Sequence, residues 1–124
     1  MVPSVPQRFG RQSRLLDAGA YSRVFDKATR SRDNWFTVLC RRNDLEIARL
    51  GLAISKKNCR KAAGRNRIKR VVRESFRHHQ EELSGLDIVV MNKRSTADAT
   101  NAVLFDSLTG HWKRCAKGAP QKDT

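Results

Sequence analysis

Residues 56–77, KKNCRKAAGRNRIKRVVRESFR, constrain what this chain can fold into more than any other stretch. Ten lysines and arginines stand there against one acid, Glu74, so the segment supplies +9 of the chain's formal +14. Stepping about 100° per residue puts Ile68, Val71, Val72, Ser75, Phe76, His79 and Leu83 on one stripe. Asn66, Lys69, Arg70, Arg73 and Arg77 fall on the opposite side, with Arg65 nearer the apolar edge and Arg67 flanking the basic face. The pattern predicts an amphipathic helix over residues 62–83, stopped by Ser84-Gly85. Such a helix must bury its stripe against a second layer while its outer face repels itself. Its natural counter-surface is a polyanion.

The rest of the chain supplies that second layer. Residues 34–41, NWFTVLCR, are aromatic and β-branched and read as a strand; Arg42, Asn43 and Asp44 open a turn. Residues 49–55 read as another strand, with Leu50, Leu52 and Ile54 on one face and Gly51, Ala53 and Ser55 on the other. The first set requires a core; the second is a small-residue face open to close approach. Residues 87–92, DIVVMN, form a short apolar strand that can run parallel to 49–55, because a helix joins the two. Before them, Leu15, Leu16, Ala20 and Val24 predict a helix from Ser13 to about residue 26 or 27, with Ser13 as cap. After them, Leu104, Leu108, Trp112 and Cys115 predict a last helix over 98–115. The expected order is helix, strand, strand, helix, strand, helix: an α/β (α+β) two-layer sandwich with a small mixed sheet. Residues 1–12 read as a mobile arm, 13–116 as a single domain and 117–124 as a fraying tail.

At 124 residues there is room for one core. No apolar run approaches the roughly 20 residues that span a bilayer. The first residues lack the apolar block of a secretory signal, so no membrane partner is expected and the cytoplasm is the expected compartment. Cys40, Cys59 and Cys115 are odd in number and widely spaced, which argues against a disulfide framework and a zinc ribbon alike. His78, His79 and His111 have no metal-ligand spacing to them. The carboxylates, Asp17, Asp26, Asp33, Asp44, Glu46 and Asp87 among them, form no acid–base or metal constellation, and no glycine loop cradles a phosphate. No catalytic and no metal-binding residue is assigned.

What remains is binding. Glu–Lys pairing at four-residue spacing, normal for a solvated face, is absent from 56–77, so that face fits a nucleic-acid backbone. Tyr21 and Phe25 share a helix face; as core residues or as rings for stacked bases they fit equally well, and the residues alone leave both readings open. A helix-turn-helix DNA binder fits poorly, because two strands precede the basic helix.

Arg65-Asn66-Arg67-Ile68-Lys69-Arg70, followed by Arg73-Glu74-Ser75-Phe76-Arg77, resembles the RNR signature of the protein subunit of bacterial ribonuclease P. Arg49-Leu50-Gly51-Leu52-Ala53-Ile54-Ser55-Lys56-Lys57 resembles the strand and double lysine that precede the signature. Arg14-Leu15-Leu16, Tyr21 and Val24-Phe25 match the family's first helix, and Asp87-Ile88-Val89-Val90 its later strand. The resemblance runs in order over roughly residues 9–115. It implies a fold like the second domain of ribosomal protein S5, with a left-handed β-α-β crossover through the RNR helix, against the usual rule. It also implies a ribonucleoprotein enzyme, ribonuclease P, that removes the 5′ leader of precursor tRNA. The RNA subunit would be the catalyst and magnesium would be held mainly by RNA and substrate, none by the protein alone. A monomeric protein would join the RNA one to one. Carried over, Lys56, Lys57, Arg65, Asn66, Arg67, Lys69, Arg70 and Arg73 would contact the RNA subunit. Tyr21, Phe25, Phe9 and, if its strand face is the open one, Phe36 would line the leader cleft. Tyr21 stands where Phe is more usual, and Ala63 where a larger apolar residue is common. The alternative is a non-enzymic RNA-binding module of ribosomal or RNA-chaperone type.

Overall fold

A computed structural model describes residues 28–118. The expected first helix, the arm before it and the candidate residues Phe9, Tyr21 and Phe25 lie outside the described residues, as do residues 119–124.

Four strands form one mixed sheet in the order β1-β2-β4-β3: β1 (Thr29–Arg32), β2 (Phe36–Arg42), β3 (Arg49–Ala53) and β4 (Leu86–Asn92). β2 pairs antiparallel with β1 and β4, and β3 pairs parallel with β4, the arrangement the intervening helix allows. The register sets Leu50 beside Ile88 and Leu52 beside Val90. Arg49 faces Asp87 across the same ladder, and its guanidinium grips that buried carboxylate at 2.8 and 2.7 Å.

Two helices, α1 (Ala62–Arg77) and α2 (Asn101–Gly118), cover one face of the sheet. α1 buries Ile68, Val71, Val72, Ser75 and Phe76, the stripe expected of it. α2 contributes Leu104, Leu108, Trp112 and Cys115. The sheet answers with Phe36, Val38 and Cys40 of β2, Leu50 of β3 and Ile88 and Val90 of β4. Trp112 meets Phe76 edge-on at 6.1 Å, and its indole N–H donates to Ser75 Oγ at 2.8 Å, so a buried polar atom is satisfied inside the helix–helix seam. On the opposite face Leu39 and Val89 are buried beside Ala28, Ala53 and Met91. β3 alternates as expected, with Leu50 toward the helices and Ala53 away from them.

The differences from expectation are local. β1 was not foreseen, because TRSR turns only Ser31 inward and carries no apolar alternation. Its partner strand and the Asp33 turn make it a strand: Asp33 Oδ1 accepts from the N–H groups of Trp35 and Phe36, both at 2.9 Å. α1 stops at Arg77 rather than near residue 83. Beyond it the hydrogen bonds mix three- and four-residue spacings, and Leu83 N–H reaches both His79 O and Gln80 O. Leu83 stays fully buried, so its periodicity continued past the helix that suggested it. Gly85 then takes φ +84, a left-handed turn suited to glycine. A 3₁₀ turn, Arg94–Ala97, precedes α2, and α2 itself runs on through Lys117 and Gly118, where fraying was expected.

The cysteine arithmetic also misled. Cys40 of β2 and Cys115 of α2 form a disulfide, with Cα atoms 6.1 Å apart and a sequence separation of 75. Only the packing of α2 on β2 brings such distant residues together. Cys59 is free and buried.

Candidate nucleic-acid interface

The loop from β3 to α1 is shaped by one buried amide. Asn92, at the end of β4, accepts from Ser55 N–H at 2.7 Å, and its backbone oxygen accepts from Asn58 Nδ2 at 2.9 Å. Cys59 N–H returns to Ser55 O at 3.0 Å. The turn so fixed holds Lys56 and Lys57 exposed, directly before α1.

Along α1 the candidate residues divide into two sets. Asn66, Arg70 and Arg73 are exposed and, with half-buried Lys69, follow one stripe at three- and four-residue spacing. Their side chains make no ion pair among the described residues. Arg65 and Arg67 are different, because both are bound to their own protein. Arg65 donates to Cys59 O at 3.0 Å and Arg60 O at 2.8 Å, tying α1 back onto the preceding loop. Arg67 donates to Asn101 Oδ1 at 2.7 Å and Thr96 O at 3.0 Å, tying α1 to the 3₁₀ turn and the start of α2. The lone acid of the helix is locally engaged: hydrogen bonds from His78 and then Arg77 hold Glu74 below the usual carboxylate range.

Phe36 does not belong to a cleft. It is fully buried on the helix-covered face, edge-on to His111 with ring centres 6.3 Å apart. The open-face condition fails because the β2 register turns Phe36, Val38 and Cys40 one way and Leu39 the other.

Sequence reasoning passed over three cations. Arg60, Lys61 and Arg94 join Lys56 and Lys57 around a cavity of about 1000 Å³ between the β3–α1 loop and the 3₁₀ turn. Arg60 and Lys61 stand in the basic run, but outside the family-like motif. Arg94 follows β4 in a turn with no sequence signal, so only the fold could add it.

A second polar cluster lies elsewhere. Ser31 Oγ sits 2.7 Å from His111 Nδ1 and accepts from Arg114 Nε at 2.7 Å; His111 Nε2 lies 3.1 Å from Asp33 Oδ2, off the line of a good hydrogen bond. Burial holds the His111 imidazole below its ordinary 6.5, with Arg114 and Lys93 adding to the effect and Asp33 opposing it. Burial alone would raise Asp33; hydrogen bonds from Ser107, Phe36 and Trp35, with His111, outweigh it and lower the carboxyl to about 2. A serine, a histidine and an aspartate in contact suggest a nucleophile, yet Ser31 is buried and Arg114 occupies its oxygen. The cluster is a fastening between β1 and α2.

The family model described as Ribonuclease P matches residues 9–116. The chain is 46% identical over 119 residues to the ribonuclease P protein component of Methylococcus capsulatus, covering 93% of each. It also resembles the solved structure of a Staphylococcus aureus RNase P protein mutant with defective mRNA degradation activity. There the TM-score is 0.78 at 30% identity, over 86% of this chain and 90% of that one. The RNase P protein from Thermotoga maritima matches at TM-score 0.69 and 29% identity, over 76% and 89% of the two chains.

Proposed function

This chain belongs to the ribonuclease P protein family and is a subunit of that enzyme, and from that premise we propose that it binds the catalytic RNA through α1 and guides precursor tRNA to it. The observation that carries the reading is the open stripe Asn66, Lys69, Arg70 and Arg73 on a helix whose opposite side is locked in the core. Cations on a rigid element meet phosphates without first being ordered. In this reading the 5′ leader lies against the sheet face of Gly51 and Ala53, whose small side chains permit close approach. The segment bearing Tyr21 and Phe25, with Phe9 before it, would close the other side.

The RNA subunit is the catalyst in this proposal, and the protein contributes positioning and relief of phosphate repulsion. Magnesium is assigned to RNA and substrate. Among the described residues no three His, Cys, Asp or Glu side chains gather to hold a cation. A cytoplasmic, monomeric protein joined one to one with the RNA completes the reading.

The test is precursor-tRNA cleavage at low magnesium and moderate salt by the cognate RNA, with and without this protein. Addition should restore cleavage at the mature 5′ end, and Arg70→Ala with Arg73→Ala should weaken RNA affinity roughly tenfold or more at moderate salt. Tight RNA binding with unchanged cleavage would instead favour a plain RNA-binding module.

A further inference from the structure

We propose that Cys40 and Cys115 are a reversible redox site, closed by exchange with a low-molecular-weight disulfide and opened again by a thiol. The closed bridge locks the end of α2 onto the sheet, so oxidation makes the folded subunit more durable and leaves the cationic stripe of α1 alone. Reversibility rests on the cytoplasmic placement proposed above, where thiol pools keep most cysteines reduced.

Placement sets the two sulfurs apart in mobility. Cys40 lies mid-sheet in β2, paired with Thr29 of β1 and Ile88 of β4, and cannot shift without breaking both ladders. Cys115 stands in the last turn of α2, which ends at Gly118, and is the last residue of that helix to be fully buried. The carbonyls of a final turn lack intrahelical partners, so such a turn opens more readily than the rest of a helix. One sulfur is therefore fixed, and the other rides on a segment able to lift. Exposure is 0% at Cys40 and 1% at Cys115, so lifting of that turn is what admits a reagent.

The fold also accommodates both states. Cα atoms 6.1 Å apart suit a bridge without movement of the backbone. In the open form Cys40 carries a thiol, and its Sγ stands 3.8 Å from Thr29 O, an acceptor waiting across the β1–β2 ladder. Both cysteines otherwise lie in the apolar core, where a neutral thiol packs as a small hydrophobe. Opening leaves no buried charge behind.

Closure reinforces a seam that already exists. One turn before Cys115, His111 and Arg114 hold β1 through Ser31. The bridge adds a tie to β2 just beyond them, so the end of α2, β1 and β2 hold as one unit. Asn66, Lys69, Arg70 and Arg73 belong to the other helix and take no part in it.

Atoms and electrons balance in the exchange. The Cys115 thiol yields its proton to water, and its sulfur attacks one sulfur of the small disulfide RSSR. The S–S bond of RSSR breaks, and the departing RS⁻ takes up a proton. Cys40 then gives up its proton and attacks the Cys115 sulfur of the mixed disulfide, and the second RS⁻ leaves and is protonated. Two protein thiols are oxidised and one RSSR is reduced to two RSH.

The experiment equilibrates full-length protein in buffers of varied ratio of glutathione to glutathione disulfide. Free thiols should fall from three to one per chain toward the oxidising end and return to three on reversal. Cys59→Ala should lose two thiols as the wild type does, because Cys59 is outside the pair. The closed form should slow amide exchange over residues 111–118 several-fold, with exchange over 66–73 and affinity for the cognate RNA unchanged. A count that stays at one under every reducing buffer marks a permanent bridge and overturns the proposal. So does a count that stays at three, or one that stops at two with a single glutathione attached. RNA affinity that follows the glutathione ratio overturns it as well. Failure of the wild type to bind the RNA at all brings down the RNA-binding reading alone, and the thiol count still decides this one.

Discussion

His111 carries a consequence that a single residue can reveal. Its imidazole is fully buried, with Ser31 and Arg114 on one nitrogen and Asp33 near the other, so the neutral form is the one the fold accommodates. A histidine depressed in the folded state contributes stability that is present above its ordinary 6.5 and lost as pH falls through the lower folded value. Asp33 acts in the same direction further down, its contribution fading between 3.8 and about 2. The melting temperature should therefore fall as pH drops from 7 to 5, and His111→Gln should be less stable at pH 7 yet show a flatter dependence over that window. An identical slope in the variant would place the acid sensitivity elsewhere. At this scale the sequence was partly legible. The cationic residues of α1 were read from charge and phase, which set Arg65 and Arg67 at the flanks of the face without showing that both bind their own protein. Which guanidinium meets a carbonyl of its own protein depends on a loop and a 3₁₀ turn that leave no periodic signal. Phe36 was ambiguous for a similar reason, because a strand's alternation tells which residues share a face but not which face is covered.

Elements were more legible where pattern and burial coincide. The stripe of α1, the alternation of β3 and the parallel pairing of β3 with β4 all follow from apolar spacing and connection length. β1 did not, because an edge strand made by its neighbour and by an Asp33 turn needs no apolar residues of its own. One junction between elements can be tested directly. A Cβ placed on Gly64 would come within 2.8 Å of Cys59 Sγ, so α1 and its leading loop touch through the absence of a side chain. Gly64→Ala alone should gain little or lose stability, since relief of about 1 kcal/mol in helix propensity is opposed by that clash. Combined with Cys59→Ala the propensity gain should reappear, giving a positive coupling in a double-mutant cycle of melting temperatures. Simple additivity would mean the loop yields freely.

Across the whole molecule, the Cys40–Cys115 disulfide closes a loop of 75-residue separation. The chain-entropy model assigns such a loop about 4 kcal/mol through the unfolded state. Reduction of the intact protein should lower the melting temperature by several degrees or more, and Cys115→Ser should remove the difference between oxidised and reduced samples. Equal melting temperatures before and after reductant would show that packing alone sets the stability of this pair. The sequence could not disclose the pairing, because nothing local joins residues so far apart. The same long reach recurs in Ser31 with His111 and Arg114 and in Asp33 with Ser107, separations of 80, 83 and 74 residues. On the ribosome, then, β1 can zip onto β2 as soon as both have emerged, but the side-chain ties of Ser31 and Asp33 have no partners until α2 follows. The nascent sheet carries its outer strand by backbone bonds alone, and the last helix to be made is the one that locks it.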